Sequence, residues 1–203
     1  MEHAPEIELK YVGLDPPLYW EKVFGNTAPV VIEIGFGKGG FLLSMAAQHP
    51  TVNFIGIESS RKYYRKGSRK VQRAKLCNIR LVWGEASHFL TRYVLDNSLR
   101  NVYINFPDPW PKRRHAKRRL LKPQFVTVLA QKLETRGQVE IATDVEAYST
   151  QMQEVFRPNE RYEMLAYQTS NHHGPVRVCQ SDYEAMFLKE GKTIHYLTYM
   201  KAG

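Results

Sequence analysis

The stretch PVVIEIGFGKGG, residues 29–40, decides the fold. A short apolar run closed by glycine suits a strand buried on both faces. The glycines at 35, 37, 39 and 40 then turn the chain into GFLLSMAAQ (40–48), whose apolar spacing is helical and which ends before His49-Pro50. TVNFIGIE (51–58) is a second β-rich run. The length between the two strands is enough for a helical crossover joining parallel neighbours.

From there the alternation repeats. A basic helix is expected near 60–75, a strand at NIRLVW (78–83), a helix near 86–94 and a strand at NVYINF (101–106). A helix near 120–134, a strand at GQVEIAT (137–143) and a helix near 145–156 follow. Past residue 160 the pattern changes. RYEMLAYQ (161–168) and TIHYLTYMK (193–201) alternate with period two and read as an antiparallel pair. The expected fold is therefore α/β, a mostly parallel seven-stranded sheet with helices on both faces and an antiparallel C-terminal edge. The 203 residues suit one domain, with 1–28 as a flanking segment whose order the sequence leaves open.

Composition narrows the class. No run approaches the roughly 20 apolar residues that cross a bilayer, and the N-terminus lacks the basic and apolar regions of a signal peptide. Cys77 and Cys179 cannot build a disulfide framework, and no Cys/His spacing suggests a metal. The adjacent His172 and His173, in a polar loop, read as facing solvent or RNA rather than a metal. A cytoplasmic protein with no obligatory protein partner is expected. The net charge of +9 is clustered, since residues 61–75 and 112–119 hold fourteen Lys/Arg and no acid. Such clusters are footprints of a polyanion, most often nucleic acid.

In open α/β sheets ligands bind beyond the carboxyl ends of the strands. The residues at or just past those ends are Gly35, Glu58, Glu85, Asp108 and Asp144, four acids among five. EIGFGKGG satisfies G-x-G-x-x-G, and Glu58 follows about 20 residues on, so a dinucleotide is formally allowed. Glu33, however, would repel a pyrophosphate and favour a cation. S-adenosylmethionine carries a sulfonium, an ammonium and no phosphate, and Gly35 and Gly37 would let backbone approach it closely. Glu58 is placed to accept from ribose hydroxyls and Glu85 from an adenine amino group, although each alone could be a helix cap.

The stretch NFPDPWPKRRHAKRRL (105–120) fixes Asp108 between prolines and follows it with a basic run. Pro107, Pro109 and Pro111 push Phe106, Asp108 and Trp110 out of the helical region, so a stiff extended loop is expected. Lys and Arg beyond it would hold phosphates, giving position without sequence information. Trp110 either stacks on a base or packs. Ser181-x-x-Glu184 and Thr143-x-x-Glu146 both read as capping boxes, with Gly191 stopping the helix that the first would start.

Taken together, EIGFGKGG (33–40), GIE (56–58), NFPDPWPKRRHAKRRL, ATD (142–144) and SDYE (181–184) resemble the bacterial tRNA (guanine-N7)-methyltransferases over about residues 30–200. That resemblance implies a Rossmann-like class I methyltransferase fold. It also implies methylation of a variable-loop guanine of tRNA, position 46 by convention, at N7 from S-adenosylmethionine. By motif, Glu33, Gly35, Gly37, Glu58, Glu85 and Asp108 would line the donor site, with Asp108 the catalytic residue. Lys112, Asp144, Ser181, Asp182, Tyr183 and Glu184 would contact substrate. Arg114, His115, Lys117, Arg118 and Arg119 would bind RNA. Glu85 and Ser181 stand where the family usually has Asp and Thr, and Met186 where a basic residue is usual. Rival readings are an exocyclic-amine methyltransferase of adenine, whose Pro-rich turn NFPDPW faintly resembles, a non-catalytic RNA-binding protein, and a dinucleotide oxidoreductase.

Overall fold

The computed structural model describes residues 7–110, 112–171 and 179–203. Pro111, His172 and His173 therefore lie outside the described residues. Seven strands form one sheet: β1 (Val30–Ile34), β2 (Asn53–Glu58), β3 (Ile79–Trp83), β4 (Leu99–Asn105), β5 (Leu133–Thr143), β6 (Tyr162–Ser170) and β7 (Ile194–Lys201). Their order is β3-β2-β1-β4-β5-β7-β6. The first five run parallel, and β7 enters antiparallel between β5 and β6.

The helices are α1 (Trp20–Phe24), α2 (Gly40–Gln48), α3 (Arg61–Ala74), α4 (Ala86–Tyr93), α5 (Pro123–Lys132), α6 (Glu146–Phe156) and α7 (Asp182–Lys189). Strand β1 is buried along its whole length, as its apolar run requires. Its alternation sends Val30, Ile32 and Ile34 to the α4–α6 face, where they join Phe89, Leu90, Val126, Leu129 and Met152. Val31 goes to the other face, with Leu42, Met45, Tyr64 and Val71 of α2 and α3. By the same period of two, Glu33 points to the α2–α3 face.

Two expectations about element bounds change. β5 starts at Leu133, because the pairing jumps from Leu99↔Leu133 to Asn101↔Gln138. Arg136, at φ +65, takes up the extra residues as a bulge. The basic run expected as a plain tail folds as a 3₁₀ helix over Arg113–Arg118.

The flanking segment covers an edge of the sheet. Leu9 donates to the Leu81 carbonyl at 2.8 Å and the Leu81 N–H to Ile7 at 2.7 Å, so 7–9 masks the free side of β3. Tyr11 packs edge-on to Phe89 and Tyr93, at 5.1 and 4.8 Å between centroids. Trp20 Nε1 donates to Ser98 Oγ at 3.1 Å. Among the described residues, no helix is long and apolar enough to cross a membrane.

Candidate active site

The chain winds outward from β1 through β2 to β3, then returns to place β4 on β1's other side. The switch point between β1 and β4 opens a crevice at their carboxyl ends. The glycine loop closes one side of it. Gly35 and Gly37 have φ of +77° and +55°, a region that costs other L-residues about 1–2 kcal/mol. A Cβ built on Gly35 meets no atom within 4 Å, so the space beside it is open cleft.

Glu58 fastens that loop. Its Oε2 accepts from Gly37 N at 3.0 Å and its Oε1 from Ser60 N at 2.7 Å. Burial raises its carboxyl above the ordinary range, those two backbone donors pull it back, and the Asp108 carboxylate adds to the rise. Glu33 is deeper, 3% exposed. Asn105 Nδ2 donates to its Oε1 at 3.2 Å, while Oε2 is buried with no hydrogen-bond partner among the described residues. Burial pushes Glu33 up to about 8, opposed by Asn105 and the Leu42 backbone N–H and reinforced by Asp182 and Glu58.

The main cleft, about 800 Å³, is lined by Gly35, Gly37, Glu58, Glu85, Asp108, Asp144 and Tyr183, with Arg118 and Arg119 at its edge. Glu33 faces a smaller space of about 50 Å³ that shares Gly35, Gly37, Asn105 and Tyr183 with it. Glu85 is the N-cap residue of α4 but makes no side-chain cap bond, so its exposed carboxylate is available to a ligand. Asp144 lies past β5, with Lys192 Nζ 3.1 Å from its Oδ2.

The loop carrying Asp108 is not extended, as the prolines alone would suggest. Phe106 and Trp110 leave the right-handed helical region for the left-handed one, at φ +51 and +42. Phe106 N donates to the Ala142 carbonyl at 2.8 Å, and its ring packs against Phe187 at 5.3 Å. Arg119 grips the other end. Its Nε donates to Pro109 O at 2.7 Å, its Nη2 to Trp110 O at 3.5 Å and its Nη1 to Gln151 Oε1 at 3.1 Å. Its guanidinium also lies 4.9 Å from the Tyr148 ring centroid. Arg119 thus holds the loop's own carbonyls while also lining the cleft, and its expected contact with RNA stands beside that role. Trp110 packs, with Arg118 over its ring at 4.9 Å and His115 edge-on at 5.8 Å. Arg114, Lys117 and Lys112 are exposed on or beside the 3₁₀ helix.

At the third wall, Ser181 and Glu184 form the expected capping box. Glu184 N donates to Ser181 Oγ at 3.1 Å and Ser181 N to Glu184 Oε2 at 3.3 Å. Glu184 is fully buried and also accepts from Tyr196 OH at 2.8 Å. Ser181 and Glu184 thus hold the start of α7, and Ser181 also lines the smaller space. What they present is Asp182 and Tyr183. The Asp182 carboxylate stands over Gly40, where a Cβ would come within 2.7 Å of Oδ1. Tyr183 leans over the glycine loop, its OH donating to Tyr63 OH at 3.4 Å. Gly191, at φ +71, ends α7 as expected. The box expected at Thr143 does not form. α6 starts at Glu146 with Val145 as N-cap, and Thr143 Oγ1 accepts from Val145 N at 3.2 Å.

Sequence reasoning missed Asn105, Tyr63 and the Arg119–Gln151 contact. Only Asn105 left a signal, as a polar residue closing an otherwise apolar strand beside Asp108.

S-adenosylmethionine fits these residues on three observations. A buried carboxylate oxygen lacks a donor, open space adjoins the glycine backbone, and two further acids face the cleft unspent. No group of three or more His, Cys, Asp or Glu able to hold a metal occurs among the described residues.

Residues 27–197 match the family model described as a putative methyltransferase. The tRNA (guanine-N(7)-)-methyltransferase of Geobacter metallireducens is 36% identical over 188 residues, covering 93% of this chain and 89% of its own. That of Nitrosomonas europaea is 34% identical over 204 residues, covering 98% and 89%. That of Thermotoga maritima is 39% identical over 176 residues, 87% of this chain but 55% of the relative, so the chain spans about half the length of that protein. Among solved structures, a 30S ribosomal A1408 methyltransferase from an uncultured bacterium superposes with a TM-score of 0.62 at 14% identity, covering 90% of this chain and 92% of that one. The precorrin-6y C5,15-methyltransferase of Geobacter metallireducens does so with 0.60 at 15% identity, covering 86% and 80%. These two likenesses show the shared class I methyltransferase fold. The sequence matches go further, and by their extent the chain belongs to the tRNA (guanine-N7-)-methyltransferase family.

Proposed function

We propose that the chain transfers the methyl group of S-adenosylmethionine to N7 of a guanine in the variable loop of tRNA, position 46 by convention. The observation that carries this reading is the sorting of charge in one crevice. Glu33, Glu58, Glu85 and Asp108 lie inside or along it, and Arg118 with the 3₁₀ helix stands at its rim. Acids inside suit a cationic donor, and cations outside suit a polyanionic acceptor.

When bound, the donor supplies an electrophilic methyl carbon on a sulfonium. Glu33, with one buried oxygen unpaired, offers an acceptor for its ammonium, while Glu58 and Glu85 offer acceptors for ribose hydroxyls and the adenine amino group. Guanine N7 bears a lone pair in the ring plane and no proton. No residue therefore has to act as a strong base, and the protein's contribution is alignment and electrostatics. Asp108 and Asp144 hydrogen-bond the guanine edge or the donor's ammonium, and Tyr183 closes over the loop. Lys112, Arg114, His115, Lys117 and Arg118 hold phosphates near the target base, which leaves its stack to enter the cleft. A tRNA substrate accords with work in the cytoplasm.

The test is to incubate the protein with labelled donor and bulk unmodified tRNA, digest one portion to nucleosides to identify the methylated base, and locate it along the chain in a second, intact portion. Label in 7-methylguanosine at position 46 is expected. Label in 6-methyladenosine would favour the exocyclic-amine reading instead. Asp108→Ala should lower turnover with donor binding retained, and unchanged turnover would remove Asp108 from its role.

A further inference from the structure

The second basic run lies away from the loop after β4, and the reading above leaves it without a partner. In α3 the side chains of Arg61, Lys62, Arg65, Lys66, Arg69, Lys70 and Arg73 are all exposed. At about 100° per residue they fall on one half of the helix surface, along about 18 Å of axis. Tyr64, Gly67 and Val71 occupy the buried half. Arg61 lies over the Trp83 ring at 5.5 Å. Among the described residues, none of the other six has an ion-pair partner.

This charge works against the helix that carries it. Cations at i and i+4 repel, and the first turn has Arg61 and Lys62 where the helix dipole favours acids. Local rules broken in this way mark places where a ligand supplies the compensation. The rail is also rigidly aimed. Gly67 lets α3 lie directly on the glycine loop, since a Cβ there would come within 2.5 Å of the Phe36 ring. At its N-terminal end, Ser59, Ser60 and Tyr63 line the main cleft itself. Arg118 thus lines the crevice, and the cationic face of α3 runs on from the turn that closes its other side. The crevice takes one nucleotide beside the donor, whereas a cationic face of this length requires an extended polyanion.

We propose that α3 is a second phosphate-binding surface, which seats the backbone of a tRNA stem while the target base occupies the cleft. It rests on the tRNA reading above. An anionic membrane is the weaker fit, because the apolar side of α3 is buried and nothing on the exposed side can insert.

The test is a fourfold variant, Lys66→Gln, Arg69→Gln, Lys70→Gln and Arg73→Gln, all exposed and clear of the cleft. Binding of unmodified tRNA is measured across a salt series beside the wild type and an Arg114→Gln/Lys117→Gln control. The salt slope should fall by about three to four, near one per lost phosphate contact, with affinity at low salt down at least tenfold. Donor affinity by calorimetry and turnover at saturating tRNA should not change. An unchanged slope in the fourfold variant with a reduced one in the control would overturn the proposal and leave the tRNA reading standing. Loss of binding to phosphatidylserine vesicles with tRNA binding intact would overturn it in favour of a membrane. If α3 lowers the slope but the labelled product is 6-methyladenosine, the surface stands and the guanine reading fails.

Discussion

Replacing Arg119 separates two roles that one basic run could give it. As a phosphate contact it would add affinity for RNA. As a clamp it holds the Pro109 and Trp110 carbonyls and so fixes the loop that carries Asp108. Arg119→Ala removes the 2.7 Å bond to Pro109, the 3.1 Å bond to Gln151 and the weaker 3.5 Å contact with Trp110. A hydrogen bond from a charged donor contributes about 1.5–3 kcal/mol, and water entering this half-buried site offsets part of it. A net loss of about 2–3 kcal/mol follows. That is comparable to the roughly 1–3 kcal/mol by which a left-handed non-glycine residue such as Trp110 resists its conformation, so the loop should relax. A displacement of about 1 Å at a reacting group costs about 100-fold. The expected result is a kcat about 100-fold lower, a tRNA salt slope unchanged and a Tm lower by about 4–12 °C for a chain of this size. Arg119→Lys keeps the charge but loses the planar fork, and should recover less than a tenth of the lost rate. If Arg119→Lys restored full turnover, or if Arg119→Ala lowered the slope by one with kcat intact, the clamp would be refuted.

The remaining predictions concern the donor side. Glu33, held near 8 by burial, binds more protons folded than unfolded between about pH 4.5 and 8, so the free protein should lose stability as pH rises through that window. Glu33→Gln should flatten this dependence of Tm, and a Tm–pH curve identical to wild type would discard the assignment. Donor binding to the wild type near pH 7 should release close to one proton, readable by calorimetry in buffers of different ionisation enthalpy. Gly35→Ala places a methyl in open cleft at φ +77, so stability should fall by only about 1–2 kcal/mol while donor Kd rises more than tenfold. Equal binding by both proteins would show that the donor does not approach Gly35. Ser181→Ala removes one half of the capping box and should cost about 1 kcal/mol, a Tm drop of about 2–4 °C, with a raised KM as Asp182 and Tyr183 lose their support. A lower Tm with KM unchanged would limit α7 to a structural part.

Much of this was legible where a residue's surroundings are set by its own neighbours in the chain. The apolar run 30–34 specified a strand buried on both faces, and GFLLSMAAQ marked α2 to the residue. Two identical capping patterns then behaved differently. Ser181 caps α7 with Glu184, whereas Thr143 is drawn into the end of β5, 1% exposed, and α6 begins two residues too late for Thr143 to be its cap. Spacing alone does not separate them, because the strand's pairing decides where the helix can start. The proline rule behaves similarly. It excludes the right-handed region for Phe106 and Trp110 but does not choose between extended and left-handed backbone. That choice falls to Ala142, 36 positions after Phe106 in the chain, and to Arg119, whose neighbour Arg118 lies over the Trp110 ring instead of holding the loop's carbonyls.

Glu33 shows the same boundary inside the site itself. The period of β1 directs its carboxylate toward α2, a conclusion available from the strand alone. What that carboxylate meets there depends on β4, laid beside β1 by the topology, which brings Asn105 to one oxygen and leaves the other without a partner among the described residues. A carboxylate satisfied on both sides would be a core feature with nothing to offer a ligand. One satisfied by water would bind a cation only by giving that water up. Half-satisfied and buried, Glu33 is held largely protonated, and a cationic group that completes the second half also restores its charge. The same unpaired oxygen that destabilises the free fold at neutral pH thus turns donor binding into the step that relieves it.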